Sequence, residues 1–165
     1  MSEQRKAPES KDIAIARMSE HDLLEIVEIE EKSGLSRWGW AAYYAELQGS
    51  NRDLMLVARH GRAGSIESST IAGYVVARET AGELHINNFA VRSEYRRRGI
   101  GSLLLERILR EARRRRANAA FLEVRSTNYA AQALYEKSGF KAIARRLNYY
   151  SEPREDAVVM SLVLE

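Results

Sequence analysis

Between Leu84 and Val124 the apolar pattern changes period twice, and this limits the folds open to the chain more than any other feature. Leu84 to Val91 alternates as a strand does. From Ile100 the spacing of Ile100, Leu103, Leu104 and Ile108 is that of one helix face, in a helix that ends near Arg116. Ala119 to Val124 returns to strand. A strand, a helix and a strand joined by short turns form a crossover unit, so the two strands are expected to be parallel neighbours. Ligands bind at the carboxyl ends of such strands. The adjacent polar pair Asn87-Asn88 interrupts the first strand and predicts a bulge or a local departure from its neighbour.

The elements around this unit follow from similar signals. Ile13 and Ile15 open a first strand, and Ser19 with Asp22 caps a helix carrying Leu23, Ile26, Val27 and Glu30 along one stripe. Gly34 to Trp40 interrupts it and is a candidate cleft wall before a second helical pattern through Tyr43, Tyr44 and Leu47. Leu54 to Ala58 and Ile71 to Ala77 are expected as an antiparallel pair joined by a long loop, His60 to Thr70. A turn at Glu79 to Glu83 leads into the strand from Leu84. A last helix runs from about Asn128 to Lys137 and stops at Ser138-Gly139, and strands follow at Phe140 to Ala144 and Ala157 to Leu164. One domain over residues 13–165 is expected, after a polar leader, residues 1–12, expected to be disordered.

Composition removes several chemistries. There is no cysteine, which excludes disulfides, thiolate nucleophiles and Cys-ligated zinc. His21, His60 and His85 fall on separate elements, so no metal is expected. No apolar run reaches the roughly 18 residues of a membrane span, and nothing resembles a secretory signal, so a cytoplasmic protein is expected. The net charge of +3 does not by itself argue for nucleic-acid binding. The cations cluster, however, at Arg96 to Arg98 and at Arg110 with Arg113 to Arg116. The second group suits either an anionic partner or the last turn of a solvated helix. Neither a Gly-x-Ser-x-Gly elbow nor a lysine after the glycine loop is present, which counts against hydrolase and nucleotide-triphosphatase chemistry.

Arg96-x-x-Gly99-x-Gly101 stands between a strand and an amphipathic helix, where unpaired backbone N–H groups and the helix dipole converge. Such a place suits phosphate, with glycines that allow close approach and arginines that neutralise charge, although an ordinary strand-to-helix turn uses glycine in the same way. Glu123 lies within a strand that should be covered on both faces and therefore apolar, so an acid there needs a reason: chemistry, or an ion pair with Arg125. Tyr135, on the last helix, can aim its hydroxyl at the same cleft or pack its ring in the core. Asn128 is positioned to cap that helix. Trp38, Trp40, Tyr149 and Tyr150 are expected in loops, as groove walls or as core.

These motifs together resemble a known family. Arg96-x-x-Gly99-x-Gly101 after a strand is similar to the acetyl-CoA signature of the GNAT superfamily of N-acetyltransferases. Leu122-Glu123-Val124-Arg125-x-x-Asn128, Ala133-Leu134-Tyr135-Glu136-x-x-Gly139-Phe140 and Asn148-Tyr149-Tyr150 with Arg154-Glu155-Asp156-Ala157 resemble its bacterial ribosomal-protein-alanine branch, the RimI type. The resemblance runs from about Ile13 to the C-terminus and is strongest from Phe89 onward.

The resemblance implies an α/β fold of α+β layering: a mixed, mostly antiparallel central sheet with a parallel pair at its centre and helices on both faces. It implies acetyl-CoA as cosubstrate, held by Phe89, Ala90 and Val91 of a bulged strand, by the loop Arg96, Arg97, Arg98, Gly99, Ile100, Gly101 and Ser102, and by Asn128. Glu123 would be the general base and Tyr135 the general acid. The implied acceptor is a protein N-terminal α-amine, with ribosomal protein S18 as the suggested target. A family member acting on lysine side chains or small amines is the nearest rival, and a basic RNA- or ribosome-binding module is a rival of another class.

Overall fold

A computed structural model describes residues 12–61 and 69–165. The expected leader, apart from Asp12, and most of the His60 to Thr70 loop lie outside the described residues. Among these residues, seven strands form one sheet in the order β1-β2-β3-β4-β5-β7-β6. They are β1 (Ile13–Arg17), β2 (Met55–His60), β3 (Thr70–Thr80), β4 (Glu83–Val91), β5 (Ala119–Arg125), β6 (Lys141–Ser151) and β7 (Arg154–Val163). The helices are α1 (Leu23–Lys32), α2 (Gly39–Leu47), α3 (Ile100–Arg114) and α4 (Tyr129–Lys137). Every neighbouring pair of strands is antiparallel except β4 and β5. The mixed sheet with its central parallel pair is therefore present as expected.

Alternation divides the apolar side chains between two cores. Leu56, Ala58, Val75, Ala77, Leu84, Ile86, Ala120, Leu122 and Val124 pack with α3 and α4. Met55, Val57, Tyr74, Val76 and Ala90 pack with α1 and α2 on the other face. Burial on both faces is why β3 reads as an almost unbroken apolar run.

The period-2 phase is reset where a strand carries an extra residue. Val76 pairs with Asn88 and Ala77 with Ile86, which leaves Asn87 unpaired as the bulge that the Asn-Asn pair predicted. Before it, Leu84 and Ile86 face α3; after it, Phe89 and Val91 take over that face, and Ala90 turns toward α1. Asn88 is turned the same way and buried.

Several boundaries differ from expectation. On α3 the buried stripe is Ile100, Leu104, Leu105, Ile108, Leu109 and Ala112, and Leu103 is exposed, because the face touching the sheet is wider than the narrow stripe that the spacing suggested. β6 and β7 form a hairpin longer than the expected strands, so Tyr149 and Tyr150 lie in a strand and not in a loop. β6 is the sheet's outer strand and Lys141 to Tyr149 are all exposed, so no alternation of burial marks it in the sequence. Trp38 and Trp40 likewise belong to α2, as its N-cap and its second residue.

Candidate active site

β4 and β5 are paired only from Glu83↔Ala119 to Ile86↔Leu122. The bulge at Asn87 follows at once, and beyond it the two strands have no ladder contact, which opens the middle of the sheet. A cleft of about 630 Å³ occupies this opening. Asn87, Phe89, Ala90 and Val91 line it from β4, and Glu123, Val124 and Arg125 from β5.

One mouth of the cleft is the start of α3. Gly99 has φ +77° and Arg97 φ +62°, so two left-handed residues turn the chain from the loop into α3. The bond from Leu103 N–H to the Gly99 carbonyl opens the helical ladder, which leaves the amides of Ile100, Gly101 and Ser102 facing outward from the first turn. Ile100, Gly101 and Ser102 line the cleft, as do Arg96 and Arg97. Arg96 anchors the loop by donating from Nε to the Val91 carbonyl at 3.1 Å.

The two glycines serve different needs. A Cβ on Gly99 would meet nothing within 4 Å, so glycine is required there by the backbone turn. A Cβ on Gly101 would stand 3.1 Å from Leu134 Cδ2 and 3.6 Å from the Phe89 ring, so its absence lets α3 begin against α4 and β4. Amides at a helix start, two exposed arginines and an open approach suit a diphosphate, so the residues present fit a CoA-type ligand.

Arg98 departs from its expected position. It does not line the cleft but lies over the Tyr95 ring, its guanidinium carbon 5.9 Å from the centroid. Asn128 lines the cleft and caps α4, accepting from the Ala131 N–H at 3.1 Å.

Glu123 and Tyr135 enter from different sides. Ala120, Leu122 and Val124 face α3 and α4, so Glu123, one residue out of phase, projects from the sheet face that carries α1 and α2. The ion pair considered for it, with Arg125, is not formed. Glu123 Oε1 is 3.2 Å from Arg146 Nε, and the nearby Glu123 carboxylate holds the proton on the Tyr149 phenol, pushing its pKa above the usual 10. Arg125 instead pairs with Glu155 at 3.4 Å and lies 4.2 Å from the Tyr150 ring centroid. Both partners of Glu123 come from β6, more than twenty residues along the chain, and no local spacing announces them.

Tyr135 is buried against Phe89 and Phe140, with ring centroids 5.9 Å away in both contacts, and it lines the cleft from the α4 side. Burial, reinforced by nearby Tyr150, pushes its pKa well above the ordinary phenol value and keeps its proton in place. Tyr150 lines the same cleft, and burial with the charge of Glu123 pushes its pKa up to about 12.

The remaining wall is the α1–α2 connection, of which Ser33, Gly34, Leu35 and Ser36 line the cleft. The two tryptophans do not: Trp38 packs on Tyr43 with centroids 5.3 Å apart, and Trp40 stacks on Tyr44 at 4.9 Å. The Arg113 to Arg116 run ends α3 at the opposite end from the cleft, about 22 Å along the axis. Arg114 pairs there with Glu111 at 3.2 Å and Arg115 with Asp53 at 3.9 Å.

The acetyltransferase (GNAT) family matches residues 23–140. The [ribosomal protein bS18]-alanine N-acetyltransferase of Escherichia coli is 31% identical over 150 residues, covering 90% of this chain and 95% of that protein. The enzyme of the same description from Haemophilus influenzae is 30% identical, with 91% and 98% covered. The crystal structure of the ribosomal-protein-S18-alanine N-acetyltransferase from Escherichia coli superimposes with a TM-score of 0.77 over 93% of this chain and 94% of the other, at 31% identity. Ard1 from Thermoplasma volcanium does so with a TM-score of 0.82 at 27% identity, over 93% and 99%. The overall fold is thus shared along with the sequence, and the chain belongs to the GNAT family of acetyltransferases.

Proposed function

We propose that this acyltransferase moves the acetyl group of acetyl-CoA to the N-terminal α-amine of a protein, and that ribosomal protein bS18, with an N-terminal alanine, is its target. The observation that carries this reading is the through-sheet cleft, with a phosphate-suited helix start on the α3 side and a carboxylate, Glu123, on the other. The target is supported by the names of relatives that match nearly end to end.

In this reading the amides of Ile100, Gly101 and Ser102, with Arg96 and Arg97, hold the diphosphate of acetyl-CoA. Phe89, Ala90 and Val91 offer the freed edge of β4 to its amide-bearing arm, and Asn128 adds a polar contact. Arg98 stiffens the loop through Tyr95 rather than touching phosphate. Acetyl-CoA supplies a thioester, an acyl group whose leaving group is the CoA sulfur.

The protein arranges the proton transfers. An ammonium has no lone pair, so Glu123, directly or through water, takes the proton from the incoming amine on its side of the sheet. Free α-amines have pKa values near 7.7 to 8.0, against about 10.4 for lysine, so a carboxylate suffices for the first more readily than for the second. As the carbon–nitrogen bond forms and the carbon–sulfur bond breaks, the Tyr135 phenol gives its proton to the departing sulfur, and the second proton released by the acylated nitrogen, relayed through water, restores the phenol. Burial keeps this phenol neutral and protonated until the transfer. A Glu123→Gln variant that kept the full rate at neutral pH would remove the proposed base.

A further inference from the structure

Glu30 is buried in the middle of the molecule, 1% exposed, on α1. Among the described residues, three groups bond its carboxylate, and all are donors. The Trp38 N–H donates to Oε1 at 2.7 Å, the Gly39 N–H to Oε2 at 3.2 Å, and the Tyr43 hydroxyl to Oε1 at 2.8 Å. Trp38 and Gly39 begin α2, so a carboxylate from one helix caps the next across the loop between them. That loop is the cleft wall formed by Ser33 to Ser36.

The network continues across the sheet. Since Tyr43 spends its one proton on Glu30, its oxygen accepts from the Tyr74 hydroxyl at 2.9 Å and from Asn88 Nδ2 at 2.7 Å. Asn88 reaches it only because the Asn87 bulge turns Asn88 toward α1 and α2. The bulge that parts β4 from β5 therefore also ties β4 to the start of α2, through Asn88, Tyr43 and Glu30.

We infer that Glu30 is a positioning residue for the acceptor: it fixes the Ser33 to Ser36 wall, on the Glu123 side of the sheet, in register with the opening between β4 and β5. It touches no reacting atom. The inference rests on the proposed entry of the amine from the Glu123 side, and it predicts that acceptor recognition depends on Glu30 while the CoA side does not.

The test compares wild type with Glu30→Gln, which sets an NH2 donor among donors, and with Tyr43→Phe, which removes only the hydroxyl link. Hydrogen exchange is read at the 33–39 and 96–102 backbones, and kinetics with acetyl-CoA and an N-terminal alanine peptide. In Glu30→Gln, exchange at 33–39 quickens at least about tenfold and is unchanged at 96–102. Peptide KM rises by a similar factor, acetyl-CoA KM stays within about twofold, and adding Tyr43→Phe makes matters no worse than Glu30→Gln alone. Equal loosening of both segments, or parallel rises in both KM values, overturns the inference. Should Glu30→Gln fail to fold, Tyr43→Phe gives the same pattern in weaker form or the inference fails. Should the wild type leave the peptide unmodified, the acceptor assignment falls by itself, and the exchange pattern still decides the role of Glu30.

Discussion

Glu123 and Tyr135 face one cleft from opposite sides of the sheet, Glu123 from the face covered by α1 and α2, and Tyr135 from the face covered by α3 and α4. The gap beyond the Ile86↔Leu122 pair connects them. A group carried on a thioester through that gap would meet an amine coming the other way, with a carboxylate behind the amine and a phenol beside the sulfur.

Replacing Glu123 by Gln is expected to lower kcat/KM by about 100-fold or more near pH 7, with acetyl-CoA still raising the melting temperature as it does for wild type. Steady-state rates and thermal shifts on the same protein check both parts. Loss of the thermal shift would make Glu123 a structural member of the Arg146–Tyr149 cluster.

Tyr135→Phe keeps the ring contacts with Phe89 and Phe140 and removes the proton donor, so kcat should fall about 100-fold with little change in melting temperature. The wild-type pH profile carries a second signature. An acid acts only while protonated, and the folded pKa of Tyr135 is raised above 10, so no alkaline loss of rate due to this group is expected below about pH 10. Rates measured from pH 6 to 10 should rise as the acceptor amine deprotonates and then stay level.

The two glycines of the loop should fail in different ways. Gly99→Ala strains a backbone at φ +77° and should cost about 1–2 kcal/mol of stability, read by denaturant melts. Gly101→Val drives side-chain atoms into Leu134 and Phe89, parting α3 from α4, and should raise the KM for acetyl-CoA at least about tenfold.

The β6–β7 hairpin should be acid-sensitive. Hydrogen bonds from the Thr127 hydroxyl and N–H, then the Arg125 guanidinium, hold Glu155 below its ordinary 4.5. The Asn148 N–H and Arg145 hold Asp156 below 3.8. A lowered folded pKa gives stability that is fully present above the unfolded value and lost as pH falls through the folded one. Melting temperatures between pH 6 and 2 should therefore drop from about pH 4.5 downward, and less steeply in Glu155→Gln.

Local signals carried much of the fold. The crossover from Leu84 to Val124, the bulge at Asn87, the Asn128 cap and the stop at Gly139 each depend on neighbours within a few residues. What stayed hidden depends on distant parts of the chain. Glu30 is buried because donors 8 to 13 residues away converge on it, and Glu123 finds Arg146 and Tyr149 only when the β6–β7 hairpin folds beside β5. The outer strand β6 has no buried face to set a period, and Arg98 shares its sequence context with two arginines that line the cleft. Neither fact leaves a mark in residue spacing.

The proposed acceptor is a protein α-amine, and mass spectrometry tests this most directly. The protein is incubated with acetyl-CoA and three acceptors: an N-terminal alanine peptide of bS18, the same peptide with its N-terminus blocked and its lysines free, and a set of small amines. One added acetyl group at the alanine α-amine, with the blocked peptide and the small amines unmodified, is the predicted result. Acetylated lysine side chains or small amines beside an untouched alanine N-terminus would contradict it.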